Sequence, residues 1–164
     1  MTVQDLIARY APLPRPHKQR AVFANLFMVQ NRLQTLFDKS DDTVTLKQFM
    51  LLILAKQAQQ PLTFTQLGEL LGCSRQNVKK LAVQLEQKGF VSIQESPADP
   101  RACCLVLTSA MGAHMSEMEA RRTRLLDLLF QDHTDAELEA MFTGFAKLYG
   151  GMQRMEAALK EEKP

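Results

Sequence analysis

Apolar residues along this chain recur mainly at helical spacing. Between about Lys18 and Lys39, Val22, Leu26, Val29, Leu33 and Leu36 follow one another in steps of four, three, four and three, the period of an α-helix. Phe23, Phe27 and Phe37 widen that stripe, so this helix is expected to bury more than one side, in a core or against another subunit. The segment before it, punctuated by Pro12, Pro14 and Pro16, reads as an arm. After it DKSDDT breaks the pattern, and Thr45 stands where an N-cap would open a second helix. That helix, LKQFMLLILAKQA, is apolar nearly all round and is expected at the centre of the fold, ending before Pro61.

Thr63 or Thr65 is placed to cap the next, short helix, TQLGELLG, with Leu67, Leu70 and Leu71 expected inward and Gly72 supplying a turn. Cys73 leads to Ser74, a good N-cap, and to a helix from Arg75 to Lys88 that Gly89 closes. Two helices joined by so short a glycine turn form a helix-turn-helix candidate. Phe90 to Gln94 alternates, SPADPRA carries turn chemistry, and Cys104 to Thr108 favours a partner strand, which predicts a β-hairpin. A long helix is expected from Ser109 to Phe130, broken by His133-Thr134-Asp135. A last helix then runs to about Lys160, with Leu138, Met141, Phe142, Phe145, Leu148, Tyr149 and Met152 in line. Gly144, Gly150 and Gly151 weaken that helix, so its end is expected to bend or fray. The class is mainly α with a small β-hairpin.

At 164 residues the chain suits one folding unit. Apolar residues at 46% and charged residues at 23% exclude disordered and collagen-like classes. Net charge is only +2, but it is unevenly spread. From Leu6 to Phe37 there are five basic residues, Arg9, Arg15, Lys18, Arg20 and Arg32, and no acidic one, whereas Met111 to Pro164 holds seven basic and ten acidic. A basic front half would suit a polyanion, and a solvated face is the plainer reading. The strongly apolar run Phe49 to Ala55 is far short of the roughly 18 residues that span a membrane. With prolines interrupting the N-terminal stretch, no secretory signal is expected and the protein reads as cytoplasmic. Three cysteines, an odd number, fit reduced thiols better than a disulfide framework.

Candidate chemistry concentrates on the Arg75 to Lys88 helix. At 100° per residue Val78, Leu81, Ala82 and Leu85 share an inward arc, while Gln76, Lys80, Val83 and Gln84 point away and Arg75 and Lys79 flank them. Asn77 sits near the N-terminal end. Amides and a guanidinium are the groups that read base edges, and ammoniums hold phosphates. Any solvated amphipathic helix offers similar residues, but here a hairpin with Arg101 near its tip follows directly. Arg101 would enter a minor groove, with Asp99 orienting it through an ion pair, although an ordinary polar turn would look the same. His17, His114 and His133 are scattered, no phosphate loop is present, and His114 with Glu117 lacks a third ligand. No enzyme chemistry, metal or cofactor is therefore expected. Cys103 and Cys104 should face opposite sides of a strand as packing residues. Cys73, beside a helix N-terminus whose dipole favours a thiolate, is either an oxidant sensor or a small residue filling the turn.

The stretch TFTQLGELLGCSRQNVKKLAVQLEQKGFVSIQESPADPRACCLVLTSAMG resembles the winged helix-turn-helix core of MarR-type bacterial transcriptional regulators. LGELLGCSRQNVKKLAVQLEQKGFV and DPRACCLVLT carry the likeness most specifically. The resemblance implies a winged helix-turn-helix at 45–108, flanked by dimerisation helices at 1–44 and 109–164, in a homodimer that binds a pseudo-palindromic operator in double-stranded DNA, more often as a repressor. It implies DNA-facing roles for Thr65, Ser74, Arg75, Gln76, Asn77, Lys79 and Lys80, with Asp99 and Arg101 as the wing pair. Pro100 stands where a second basic wing residue is common, and Gln76-Asn77 where small hydroxyl residues are frequent. Relatives respond to small aromatic ligands, metals or oxidants. No cysteine lies between Met1 and Gly72, where peroxide sensors of the family carry theirs. Phe23, Phe27, Met28 and Phe49 would suit an apolar effector pocket, or equally a core. Near-neutral charge and a thin wing leave a second reading, a winged-helix protein-interaction module without DNA binding.

Overall fold

A threonine whose side chain exchanges hydrogen bonds with a carboxylate or amide residue three positions later opens four of the seven helices among the described residues. Thr2 with Asp5, Thr45 with Gln48, Thr63 with Gln66 and Thr134 with Glu137 each form a reciprocal capping box. Each box satisfies two backbone N–H groups that a helix start leaves without partners. The computed structural model describes residues 2–97 and 99–162; Ala98 of the expected hairpin turn, Met1, Lys163 and Pro164 lie outside them.

In chain order the elements are α1 (Val3–Tyr10), α2 (Arg15–Ser40), α3 (Leu46–Gln57), α4 (Phe64–Leu71), α5 (Arg75–Gln87), β1 (Val91–Glu95), β2 (Cys103–Leu107), α6 (Ser109–Phe130) and α7 (Asp135–Glu161). The expected arm thus holds a helix, α1, because the Thr2–Asp5 box supplies a start that the prolines conceal. Those prolines mark the beginning of α2 instead: Pro14 is its N-cap and Pro16 falls in its first turn, where the missing N–H is not needed. Thr63, rather than Thr65, caps α4. α7 runs unbroken through Gly144, Gly150 and Gly151 to Glu161, contrary to the expected bend, since Ala, Met, Leu and Lys around them favour helix.

The chain divides into two compact units, Met1–Ala113 and His114–Pro164. In the first, Leu51 and Leu52 of α3, Leu67 of α4, and Val78, Ala82 and Leu85 of α5 are fully enclosed, with Phe64, Val91, Cys104, Leu105 and Met111 almost so. Burying each of the larger side chains stabilises the fold by about 1.5–3 kcal/mol. α3 is central, as its sequence suggests, although Met50 remains 41% exposed. Leu70, expected inward, is 59% exposed. The buried stripe of α4 is Phe64, Leu67 and Gly68, a three- and four-residue spacing that leaves Leu70 off its arc.

β1 and β2 pair antiparallel from Val91 opposite Leu107 to Glu95 opposite Cys103, and Thr63 adds a bridge to Cys104. Cys104 is buried and Cys103 half-buried, as neighbours alternating across a strand should be. In the second unit Phe130 and His133 meet edge to face, 5.5 Å apart, at the turn before α7. α7 exposes Phe142, Phe145, Tyr149, Met152, Met155 and Leu159. Among the described residues no helix is long and apolar enough to cross a membrane.

Candidate nucleic-acid interface

The close turn between α4 and α5 positions the candidate face. Gly72 adopts φ +66°, the left-handed region that glycine enters without a steric penalty, and the Cys73 N–H donates to the Gly68 carbonyl at 2.9 Å. Gly68 is needed for a different reason: a Cβ there would lie 2.7 Å from the Cys73 carbonyl oxygen. Cys73, within the turn, is half-buried. Ser74 then caps α5, its hydroxyl accepting from the Asn77 N–H at 3.2 Å.

With Val78, Ala82 and Leu85 fixed in the core, α5 turns the opposite side outward. Ser74, Arg75, Gln76, Lys79 and Lys80 are exposed, and Asn77 is half-buried. Val83 joins this face at 37% exposure. Gln84, expected outward as well, is drawn back: its Oε1 accepts from Gln48 Nε2 at 3.0 Å. Periodicity within α5 carries no information about that partner on α3. Thr65 is exposed in the first turn of α4.

In the hairpin loop the Asp99 carboxylate accepts from the backbone N–H of Arg101 at 2.9 Å. The Asp99 carbonyl accepts from the Ala102 N–H at 2.9 Å. The expected ion pair is replaced by this backbone contact, because the carboxylate closes a local turn two residues on. Arg101 and Pro100 are exposed. The Arg101 guanidinium is thereby displayed by a turn rather than held by a salt bridge.

Sequence reasoning missed the polar residues behind α5. Gln48, only 3% exposed, accepts at Oε1 from the Thr45 N–H and from Lys88 Nζ, at 3.2 and 3.0 Å. Lys88 Nζ also donates to the Thr43 carbonyl at 2.6 Å. Glu86 accepts from the Ile93 N–H at 2.8 Å. The Thr45–Gln48 spacing was a readable cap signal; its extension to α5 was not.

Of the residues considered for an effector pocket, Phe23 meets Phe27 at 5.1 Å, Phe49 meets Phe37 at 5.0 Å, and Met28 is exposed. An open cleft of about 720 Å³ lies elsewhere, bounded by the end of α3, the start of α4 and the hairpin loop, with Leu54, Pro61, Leu62 and Leu70 among its walls. Among the described residues no three His, Cys, Asp or Glu side chains gather to hold a metal.

A short helix, a glycine turn, a second helix with a polar outer face and an antiparallel hairpin make a winged helix-turn-helix. The model of the MarR family matches residues 44–103. This segment is a MarR-family winged helix-turn-helix. The uncharacterized HTH-type transcriptional regulator YcgE of Bacillus subtilis (strain 168) is 28% identical over 101 residues, covering 62% of this chain. The chain spans about two thirds of that curated relative, 66% of its length. Among solved structures, the MarR/EmrR family regulator of Acinetobacter sp. ADP1 superposes with TM-score 0.72 at 16% identity, over 83% of this chain and 97% of its own. BpsR of Bordetella bronchiseptica, whose DNA binding is regulated by 6-hydroxynicotinic acid, superposes with TM-score 0.67 at 20% identity, over 79% and 98%. At these identities the likeness is one of fold.

Proposed function

We propose that this MarR-family chain is a transcriptional regulator, a homodimeric repressor that binds a pseudo-palindromic operator and whose grip on DNA is altered by a small aromatic ligand. The observation that carries this reading is the outer face of α5, where Arg75, Gln76, Lys79 and Lys80 are exposed together at the capped end of the helix. A major groove admits a helix presented in this way. Gln76 and Asn77 suit adenine edges and Arg75 suits guanine, each good bidentate pair contributing about 1–3 kcal/mol of discrimination. Lys79, Lys80, Thr65 and Ser74 suit phosphates, which fix register rather than sequence. Arg101, displayed by the Asp99 turn, suits the adjacent minor groove.

The homodimer draws support from exposed apolar residues on two helices considered separately. α2 leaves Val22, Phe23, Phe27, Val29 and Leu36 more than half exposed, and α7 does the same with Phe142 and Tyr149. Surfaces of this kind favour burial against a two-fold partner. The ligand proposal draws on the chemistry named for BpsR, an aromatic acid. Such a regulator acts in the cytoplasm, where its DNA is.

Fluorescence-anisotropy titration against genomic fragments, including the one upstream of its own coding sequence, tests the reading at two salt concentrations. Selective binding with a steep salt slope is expected, and Lys80→Ala should lower that slope by about 1. Binding absent at low salt, or unchanged when Lys80 and Arg101 are both replaced by Ala, would overturn it and favour the protein-interaction module.

A further inference from the structure

We infer that Gln48 and Lys88 are positioning residues that hold the C-terminal end of α5 to α3, and so set the angle at which its exposed N-terminal half meets DNA. The inference rests on the DNA-binding reading above. Its starting point is an amide with almost no exposure in a helix otherwise rich in leucine. Capping α3 from Thr45 uses only the Gln48 oxygen. The buried Nε2 still needs an acceptor, and finds it in Gln84 on α5 at 3.0 Å.

The assignment of the two amide ends follows from their neighbours. Oε1 faces a backbone N–H and an ammonium, both donors only, so the oxygen belongs there and the NH₂ turns to Gln84. Lys88 completes the clamp by donating to both Gln48 and the Thr43 carbonyl. Thr43 itself lies in a fixed turn, since Asp41 Oδ1 accepts from the N–H groups of Thr43 and Val44 at 2.9 and 3.0 Å. From the end of α2, Asp38 accepts from the Leu46 N–H at 2.7 Å. On the other side of α5, Glu86 is tied to β1 through Ile93.

Three polar side chains of one turn, Gln84, Glu86 and Lys88, therefore anchor α5 to α3, to the turn ahead of α3 and to β1. The DNA-facing residues lie at the opposite end. A helix of this length extends about 20 Å, so a pivot of about 5° at its anchored end moves the first turn by about 2 Å. A displacement of that size breaks hydrogen bonds to base edges, which tolerate only a few tenths of an ångström. Contacts to phosphates, made by long flexible lysines, survive it. The clamp should accordingly govern discrimination between sequences more than total affinity.

The test uses the duplex that the native protein enriches from a random-sequence pool, and a scrambled duplex of the same composition. Lys88→Met keeps the aliphatic stem and removes the ammonium at an exposed position, and Gln48→Leu removes the amide. For both, the ratio of affinities for enriched and scrambled duplex is expected to fall by about fivefold to twentyfold, while affinity for the scrambled duplex and its salt slope stay at native values. Gln48→Glu should retain the native ratio, because a carboxylate accepts from Thr45 and Lys88 and the Gln84 amide can turn to donate. If native protein discriminates and Lys88→Met discriminates equally well, the inference is overturned while the DNA-binding reading stands. A salt slope reduced by about 1 in Lys88→Met would make Lys88 a phosphate contact and also overturn it. If the native protein enriches no sequence, both readings fall. Should Gln48→Leu not fold, Lys88→Met with Gln48→Glu decides the matter.

Discussion

Gly68 is the position where the placement of α5 depends most directly on a missing side chain. The 2.7 Å approach that a Cβ would make to the Cys73 carbonyl falls on backbone, which cannot swing aside as a flexible side chain would. Gly68→Ala should destabilise the protein by about 1–3 kcal/mol through overpacking, visible as a lowered midpoint of thermal unfolding. An unchanged midpoint would mean that the turn adjusts freely. At this scale, what was legible in the sequence was whatever acts locally: Ser74 as a cap, Gly72 as the turn, and the inward set Val78, Ala82 and Leu85. Two residues were misjudged, for different reasons. Gln84 read as solvent-facing because Gln48 lies 36 positions away, and Asp99 read as an ion-pair partner because its backbone contact depends on loop geometry.

Helix ends, rather than helix interiors, decide which elements form here. At the start of α7 the Glu137 carboxylate accepts from the Thr134 N–H at 2.8 Å and from its hydroxyl at 2.9 Å. The backbone N–H is the larger influence, the hydroxyl the next, and together they hold the Glu137 carboxyl below its ordinary value of 4.5. A depressed carboxyl contributes to stability above its unfolded value, and the contribution fades as pH falls through the folded value. The first turn of α7 should therefore open in mild acid, read as faster amide exchange at residues 135–138 between about pH 5 and about pH 3. Glu137→Gln, which keeps an acceptor and has no proton to gain, should remove that pH dependence, and a native-like profile in this variant would contradict the account. The same reciprocal cap explains α1, which periodicity passed over: eight residues are too few for a stripe to stand out, whereas Thr2 and Asp5 fix its start. α7, by contrast, continues through three glycines that were expected to bend it, since a weak local preference yields to a long run of good helix formers.

Across the whole molecule, a MarR-family winged helix-turn-helix accompanies long helices that leave large apolar side chains in water. Charge is unevenly spread, with a basic stretch from Leu6 to Phe37 and an acidic segment from Met111 onward. The winged segment was legible because its helix starts, glycine turns and strand alternation are all local signals that agree with one another. The proposed dimer rests on a surplus of apolar surface, since no pattern in one chain identifies the residues of a second. Dimerisation would set two α5 helices about 34–36 Å apart, one turn of DNA. Hydroxyl-radical footprinting of the native protein on its enriched duplex tests this most directly. The account predicts two protected segments related by two-fold symmetry, with centres about 10–10.5 base pairs apart or a multiple of that spacing, both lost together in Lys80→Ala with Arg101→Ala. A single unsymmetrical segment, or full cleavage throughout at a protein concentration that saturates the duplex, would contradict it.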